Sequence, residues 1–192
     1  MKQLAVGALL LAAGALWLSG GVAPDVGPTP IECVIAARTM WFLGSTPKID
    51  VKLINRSDRA IYLVGSLDGS DRGRSPRAHF EITPPLDAPS PAPMAFFCGN
   101  TNELREADFV KVEPGATFDP HVQDLALSSR FNVPGTYYVR FVYSTTDPDI
   151  GNWLGGPLGP GYEPSLRLVE LLRQVPKVDL RSNVIPLHFV RP

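Results

Sequence analysis

Phe131-Asn-Val-Pro-Gly-Thr-Tyr-Tyr-Val-Arg-Phe-Val-Tyr-Ser144 is the stretch whose reading decides the fold. Pro134-Gly135 supplies turn chemistry, and the residues after it are mostly β-branched or aromatic. Side chains alternate across a strand, so Tyr137, Val139, Phe141 and Tyr143 share one face. Tyr138, Arg140, Val142 and Ser144 share the other. A long segment with one wholly apolar and aromatic face predicts a central strand, with Tyr137, Val139 and Phe141 as structural core residues. The stretch fixes a fold class and carries no chemistry.

Working towards the N-terminus, His121 to Ser129 fits a strand or a helical turn equally well, and Phe109 to Glu113 reads as a short strand. Pro114-Gly115 then turns into Ala116 to Phe118. Five prolines between Pro84 and Pro93 imply an extended loop behind a strand at Phe80 to Thr83. Lys48 to Ile54 alternates, Asn55-Arg-Ser-Asp58 supplies a turn, and Ala60 to Val64 returns, which predicts a hairpin. Ile31 to Arg38, containing Cys33, reads as the first strand.

Towards the C-terminus, Thr146 to Pro164 is a Gly- and Pro-rich insertion. Leu168, Leu171, Leu172 and Val175 then recur at helical spacing, starting at Ser165 and stopped by Pro176. Ser182 to Val190 is the last strand, with Val184 and Phe189 inward and Pro186 marking an edge or a bulge. About nine strands with a single short helix make an all-β chain, read as an antiparallel β-sandwich.

Composition bounds the rest. The 192 residues suit one domain, and a hydrophobic fraction of 44% suits a packed core. A formal charge of −1 gives no electrostatic grip on nucleic acid and no polybasic membrane patch. Lys2, an apolar run from Leu4 to Leu18 and the small residues Ser19-Gly-Gly21 predict a signal peptide over 1–23. The alternative is a retained anchor, for which the run is shorter than the ~20 residues that span a bilayer comfortably. A linker over 24–30 and a domain over 31–192 follow, in an extracytoplasmic setting, periplasmic or secreted. The signal segment is then the chain's only expected contact with a membrane. Cys33 and Cys98 in an exported chain are expected to form a disulfide.

Three segments resemble bacterial immunoglobulin-like domains of secreted proteins and of a proteinase-inhibitor family: Val51-Lys-Leu-Ile-Asn-Arg-Ser57, Val112-Glu-Pro-Gly-Ala-Thr-Phe118, and Pro134-Gly-Thr-Tyr-Tyr-Val139 with Ser182-Asn-Val184. The resemblance implies an immunoglobulin-like sandwich in which the Tyr137 hydroxyl bonds back to its own chain. The chain departs from that pattern by long insertions at about 66–108 and 146–178, so no inhibitory loop carries over to a particular residue. The resemblance specifies a fold and no activity.

Sites of chemistry are sparse. Neither cysteine has a nucleophile context, with His79, His121 or His188 as the available bases, and no Gly-x-Ser-x-Gly elbow occurs. Asp119, His121 and Asp124, or Asp147, Asp149 and Asn152, could supply metal ligands, but turn chemistry explains both groups. No catalytic residue, metal or cofactor is assigned. The expectation is a non-enzymatic binding or accessory module for an unknown protein or envelope component, with contact residues Asn152, Trp153 and Tyr162 on the second insertion; Trp153 equally fits a side chain that only pins the insertion to the sandwich. The alternatives are a peptidase inhibitor acting through Pro84 to Pro93 and a hydrolase with its site in the insertions.

Overall fold

The structure, a computed structural model, describes residues 30–71, 73–89, 101–120, 127–156 and 163–192. Strands make up 38% of the described residues and helix 14%, so the chain is predominantly β. Its strands are β1 (Ile31–Ala37), β2 (Met40–Phe42), β3 (Ile49–Asn55), β4 (Ile61–Val64), β5 (Arg77–Thr83), β6 (Phe109–Val112), β7 (Thr117–Phe118), β8 (Gly135–Ser144), β9 (Asp179–Arg181) and β10 (Ile185–Val190). Two helices, α1 (Gly151–Leu154) and α2 (Leu166–Gln174), lie between β8 and β9.

Three sheets form. One runs β1-β3-β7, a second β2-β10-β8-β5 with β9 also paired to β8, and a third is the pair β4-β6. All pairings are antiparallel except β2 with β10. Between them the chain crosses from the first sheet to the second, since β1 lies beside β3 and β2 beside β10.

The strand β8 is central, bonded to β5, β9 and β10. Its inward side chains Tyr137, Val139, Phe141 and Tyr143 are fully buried. They meet Ile31, Cys33, Ile35, Val51 and Leu53 of the first sheet in one cluster, so the inward faces of the two larger sheets share a core. Phe131 stacks on Phe189 with centroids 4.5 Å apart, and Tyr137 stands edge-on to both rings. Buried this deeply, the Tyr137 hydroxyl needs partners. It donates to the Val133 carbonyl at 3.0 Å and accepts from the Val133 N–H at 3.1 Å, closing the corner before β8.

A second cluster joins Val64, Leu104, Phe109 and Trp153 to Leu168, Leu171, Leu172 and Val175. The helix α2 supplies the three leucines at its apolar stripe, with Val175 at its C-cap, and is capped at its start where the Ser165 hydroxyl accepts from the Leu168 N–H. The Tyr143 hydroxyl donates to the Val64 carbonyl at 2.8 Å and joins the two clusters.

Three expectations are corrected. The segments β3 and β4 form no hairpin: Asn55 is buried, and its amide donates to the carbonyls of Arg59 and Val112, steering the chain onto β6. Nor is β5 part of an insertion over 66–108, because it pairs along its whole length with β8. Val184 points outward and is exposed, while Phe189 is buried. Pro186 lies where β10 pairs with β8 but not with β2, so its missing N–H costs no ladder bond.

Replacing Tyr137 by Phe removes both bonds to Val133 and leaves two backbone groups short of a partner, at a cost of about 1–3 kcal/mol. Urea denaturation is expected to show Tyr137→Phe unfolding at a clearly lower midpoint. Tyr138→Phe, on the exposed side of the same strand, should match the parent.

Candidate interaction surface

Of the residues expected to meet a partner, Trp153 takes the other reading and pins its segment to the body of the fold. It is 2% exposed, packed in the second cluster, with its indole N–H donating to the Asp147 carbonyl at 3.3 Å and Lys177 over its ring. A Gly-rich surface segment let the ring turn inward under α2, so it presents nothing to a partner. Asn152 is exposed, and its amide donates to Asp147 at 2.9 Å. Tyr162 lies outside the described residues. Cys33 is a buried free thiol whose pKa is pushed up to about 12 by loss of solvent, which removes it as a nucleophile. Cys98, His121 and Asp124 lie outside the described residues.

The polar groups on the insertions serve the fold. Asp147 accepts from the Asp149 N–H and from Asn152, and Asp149 accepts from the Gly151 N–H, so these carboxylates shape the turn into α1. Among the described residues no group of three or more His, Cys, Asp or Glu side chains could hold a metal ion.

Arg74 has more consequence. Its guanidinium is buried and donates to the carbonyls of Trp153, Leu154 and Asp68 at 3.2–3.3 Å, capping the end of α1. Gly155, with φ +63°, allows this approach: a Cβ there would lie 2.6 Å from the Asn102 carbonyl as well as on Arg74. A shallow pocket of about 210 Å³ opens beside Arg74. On its rim Arg105 pairs with Asp108 at 3.0 Å and the Asn102 amide donates to Asp68 at 2.5 Å.

The outer face of the second sheet is different. Strand register places its side chains in rows. Phe42 lies beside Val190, Met40 beside His188 and Thr136, and Pro186 beside Tyr138 and Thr83. Further along β8 come Arg140 beside Glu81, Val142 between Arg181 and His79, and Ser144 between Asp179 and Arg77. The second half is charged and internally paired, with Arg140 on Glu81 at 2.5 Å.

In the first half apolar groups face water: Met40 is 65% exposed, Phe42 59%, Tyr138 53% and Val190 36%. Four of the nine large hydrophobic side chains exposed among the described residues therefore share half of one sheet face. The polar pair within it is satisfied, His188 Nδ1 lying 2.8 Å from Thr136 Oγ1. At the rim, Leu86 projects fully from a turn closed by the Ala88 N–H on the Pro85 carbonyl. The Pro85 ring sits on Gly135, where a Cβ would come within 2.7 Å of it.

Comparison with family models, with curated proteins and with solved structures gives no match for this chain.

Two measurements follow from these contacts. Arg74→Met strands the carbonyls of Trp153 and Leu154 in the interior and is expected to cost about 2–4 kcal/mol in a urea titration, with Arg74→Lys recovering only part. In acid, Glu81 is held below the usual carboxylate range by Arg140, and Asp147 by the Asp149 N–H and Asn152. Depressed folded values stabilise the protein above about pH 4 and lose that contribution as pH falls through them. Melting temperature should therefore fall less steeply below about pH 4 in Glu81→Gln/Asp147→Asn than in the parent.

Proposed function

We propose that the chain is an exported, non-enzymatic binding module built as an immunoglobulin-like antiparallel β-sandwich, and that the apolar half of the outer face of β2-β10-β8-β5 is its contact surface. The observation that carries this reading is the grouping of Met40, Phe42, Tyr138 and Val190 on one half-face. Exposed apolar surface concentrated in this way is characteristic of protein contact sites.

Three features support the sandwich. The two larger sheets share a core, β1 runs into a strand that changes sheet and pairs parallel with the last strand, and Tyr137 closes a corner onto Val133. Export rests on Lys2, the apolar run Leu4–Leu18 and the small residues after it. The partner class is a protein or envelope component, since the neutral half-face has no cationic surface for nucleic acid.

An inhibitor would present an extended loop to a peptidase cleft. Of the segment Pro84 to Pro93, residues 90–93 lie outside the described residues; in the part described, the chain turns back at Pro85–Ala88 around Leu86 and Asp87 instead of running extended, which supports a binding module.

The test is site-specific photo-cross-linking in an exporting bacterial host. A benzophenone side chain in place of Phe42 should give protein adducts, and one in place of Lys52, exposed on the opposite sheet, should not. No adduct from position 42, or equal yields from both, overturns the reading.

A further inference from the structure

One side of β1 carries a row of main-chain groups that its own sheet does not use. The strand is outermost, bonded to β3 alone among the described residues. An edge of this kind offers N–H and C=O groups to any second strand, and folds blunt it with proline, lysine, a bulge or a cover. The sequence Ile31-Glu-Cys-Val-Ile-Ala-Ala37 contains neither proline nor lysine. Its one charged side chain, Glu32, is paired with Arg56 at 2.5 Å. A short segment of high β-propensity and little net charge, without proline or glycine, is the kind that recruits a partner strand.

We infer that Asn183 is the stopper on this edge, an autoinhibitory contact standing where β1 of a second copy would otherwise pair. Its carboxamide meets both main-chain groups of Ile35. Oδ1 accepts from the Ile35 N–H at 2.9 Å, and Nδ2 donates to the Ile35 carbonyl at 3.1 Å. Two bonds exchanged with one residue are what a neighbouring strand supplies at a hydrogen-bonded position of an antiparallel ladder. Main-chain groups alternate along a strand, so Ile31, Cys33 and Ala37 direct theirs to the same side as Ile35. Asn183 fills the lane beside the third of these four positions, and an incoming strand cannot run past it.

The stopper is firmly mounted. Residues 182–184 interrupt the run from β9 to β10, both of which bond to β8. In that gap the Ser182 N–H donates to the Phe141 carbonyl at 2.9 Å, and the Ser182 hydroxyl accepts from the Phe141 N–H at 2.9 Å. The same hydroxyl donates to the Asn183 carbonyl at 2.7 Å. Ser182 thus continues the ladder on β8 while Asn183 reaches across to the other sheet. Asn183 is itself exposed, so the core makes no demand for an amide there. Other edges are closed in a similar manner. At β5 the Phe80 carbonyl accepts from the Arg130 guanidinium at 2.9 Å, and the Ala78 N–H donates to the Ser70 carbonyl at 3.0 Å. At β2 the Phe42 carbonyl accepts from the N–H and the hydroxyl of Ser45, at 3.0 and 2.6 Å.

Symmetry gives the outcome of removing the stopper. Antiparallel pairing of β1 with itself, about a two-fold axis at Val34, sets Ile31 opposite Ala37 and Cys33 opposite Ile35. Every outward group then has a partner. Each copy owns a single edge of this kind, so the assembly closes at two chains.

The deciding experiment is sedimentation equilibrium on the full chain, produced in an exporting host and purified with the N-terminus the host leaves. Asn183→Ala is expected at twice the mass of the parent. Adding Val34→Glu should restore the parent's mass, because the new carboxylate faces Lys52 within its own chain but its own copy across the axis. Tyr137→Phe, weakened at its bonds to Val133, should keep the parent's mass, which separates an opened edge from a loosened fold. In the parent, amide exchange should be about tenfold slower at Ile35 than at Cys33, two N–H groups of one phase of which Asn183 holds the first. A folded Asn183→Ala at the parent's mass overturns the inference. So does a doubled mass indifferent to Val34→Glu, or one that Tyr137→Phe shows as well. Should Asn183→Ala fail to fold, the exchange measurement decides alone, and equal protection at Ile35 and Cys33 overturns the inference.

Discussion

The Tyr137 hydroxyl, held by both backbone groups of Val133, is the constraint on which the rest of the molecule depends. It fixes where β8 begins, and β8 sets the position of every strand beside it. A slip of one residue would send Tyr137, Val139, Phe141 and Tyr143 to the solvent side and bring Arg140 into the core. The aromatic group of Phe131, Tyr137 and Phe189 backs the corner by filling the space beneath it. Register on the inside then dictates register on the outside. Because Tyr137 points in, Tyr138 and Thr136 must point out, and the exposed face is assembled from whatever the alternate positions hold.

Around this frame the chain adds a second cluster that the two larger sheets do not contain. It is bound to the first by few contacts of high value. Tyr143 reaches from the core of β8 to the Val64 carbonyl, and Arg74 ties the carbonyls of α1 to the turn before β5. The segment 101–105 lies alongside 152–156, through the Leu104 N–H on the Leu154 carbonyl and the Gly156 N–H on the Thr101 carbonyl. Two stretches that look like surplus loops are therefore mutual partners. Each satisfies backbone groups that the other leaves open, and α2 covers their apolar side.

How much of this was legible can be argued residue by residue. The alternation in β8 and the leucine spacing of α2 were readable because each is a local period with one buried side. Asn55 does make its turn, its Oδ1 accepting from the Ser57 N–H, but the hairpin behind it does not form, because its amide also reaches Val112, a partner far along the chain. Arg74 sat in a polar loop, and nothing in its neighbourhood marks it as the cap of a distant helix. The surface was one of two readings for Trp153 because glycines surround it, yet Gly155 serves the close approach of Arg74 and Asn102. One signal for the exposed apolar half-face was present. Val184, Pro186 and Val190 occupy the phase of the last strand opposite to Leu187 and Phe189, so that strand is apolar on both sides.

That double apolarity separates fold from function. The charged half of the outer face shows what this sheet requires of its exposed positions, since Glu81 against Arg140 is a cross-strand pair that water and the ladder both accept. Thr, Lys or Glu at Met40, Phe42, Val184 or Val190 would serve the backbone equally well, because surface positions of a strand tolerate exchange within about 0.5 kcal/mol. Burial in the isolated chain gives no reason for a phenylalanine and a methionine on a three-residue strand that is 59% and 65% open at those side chains. Their chemistry is accounted for once the face is covered, and the core beneath it is complete without them.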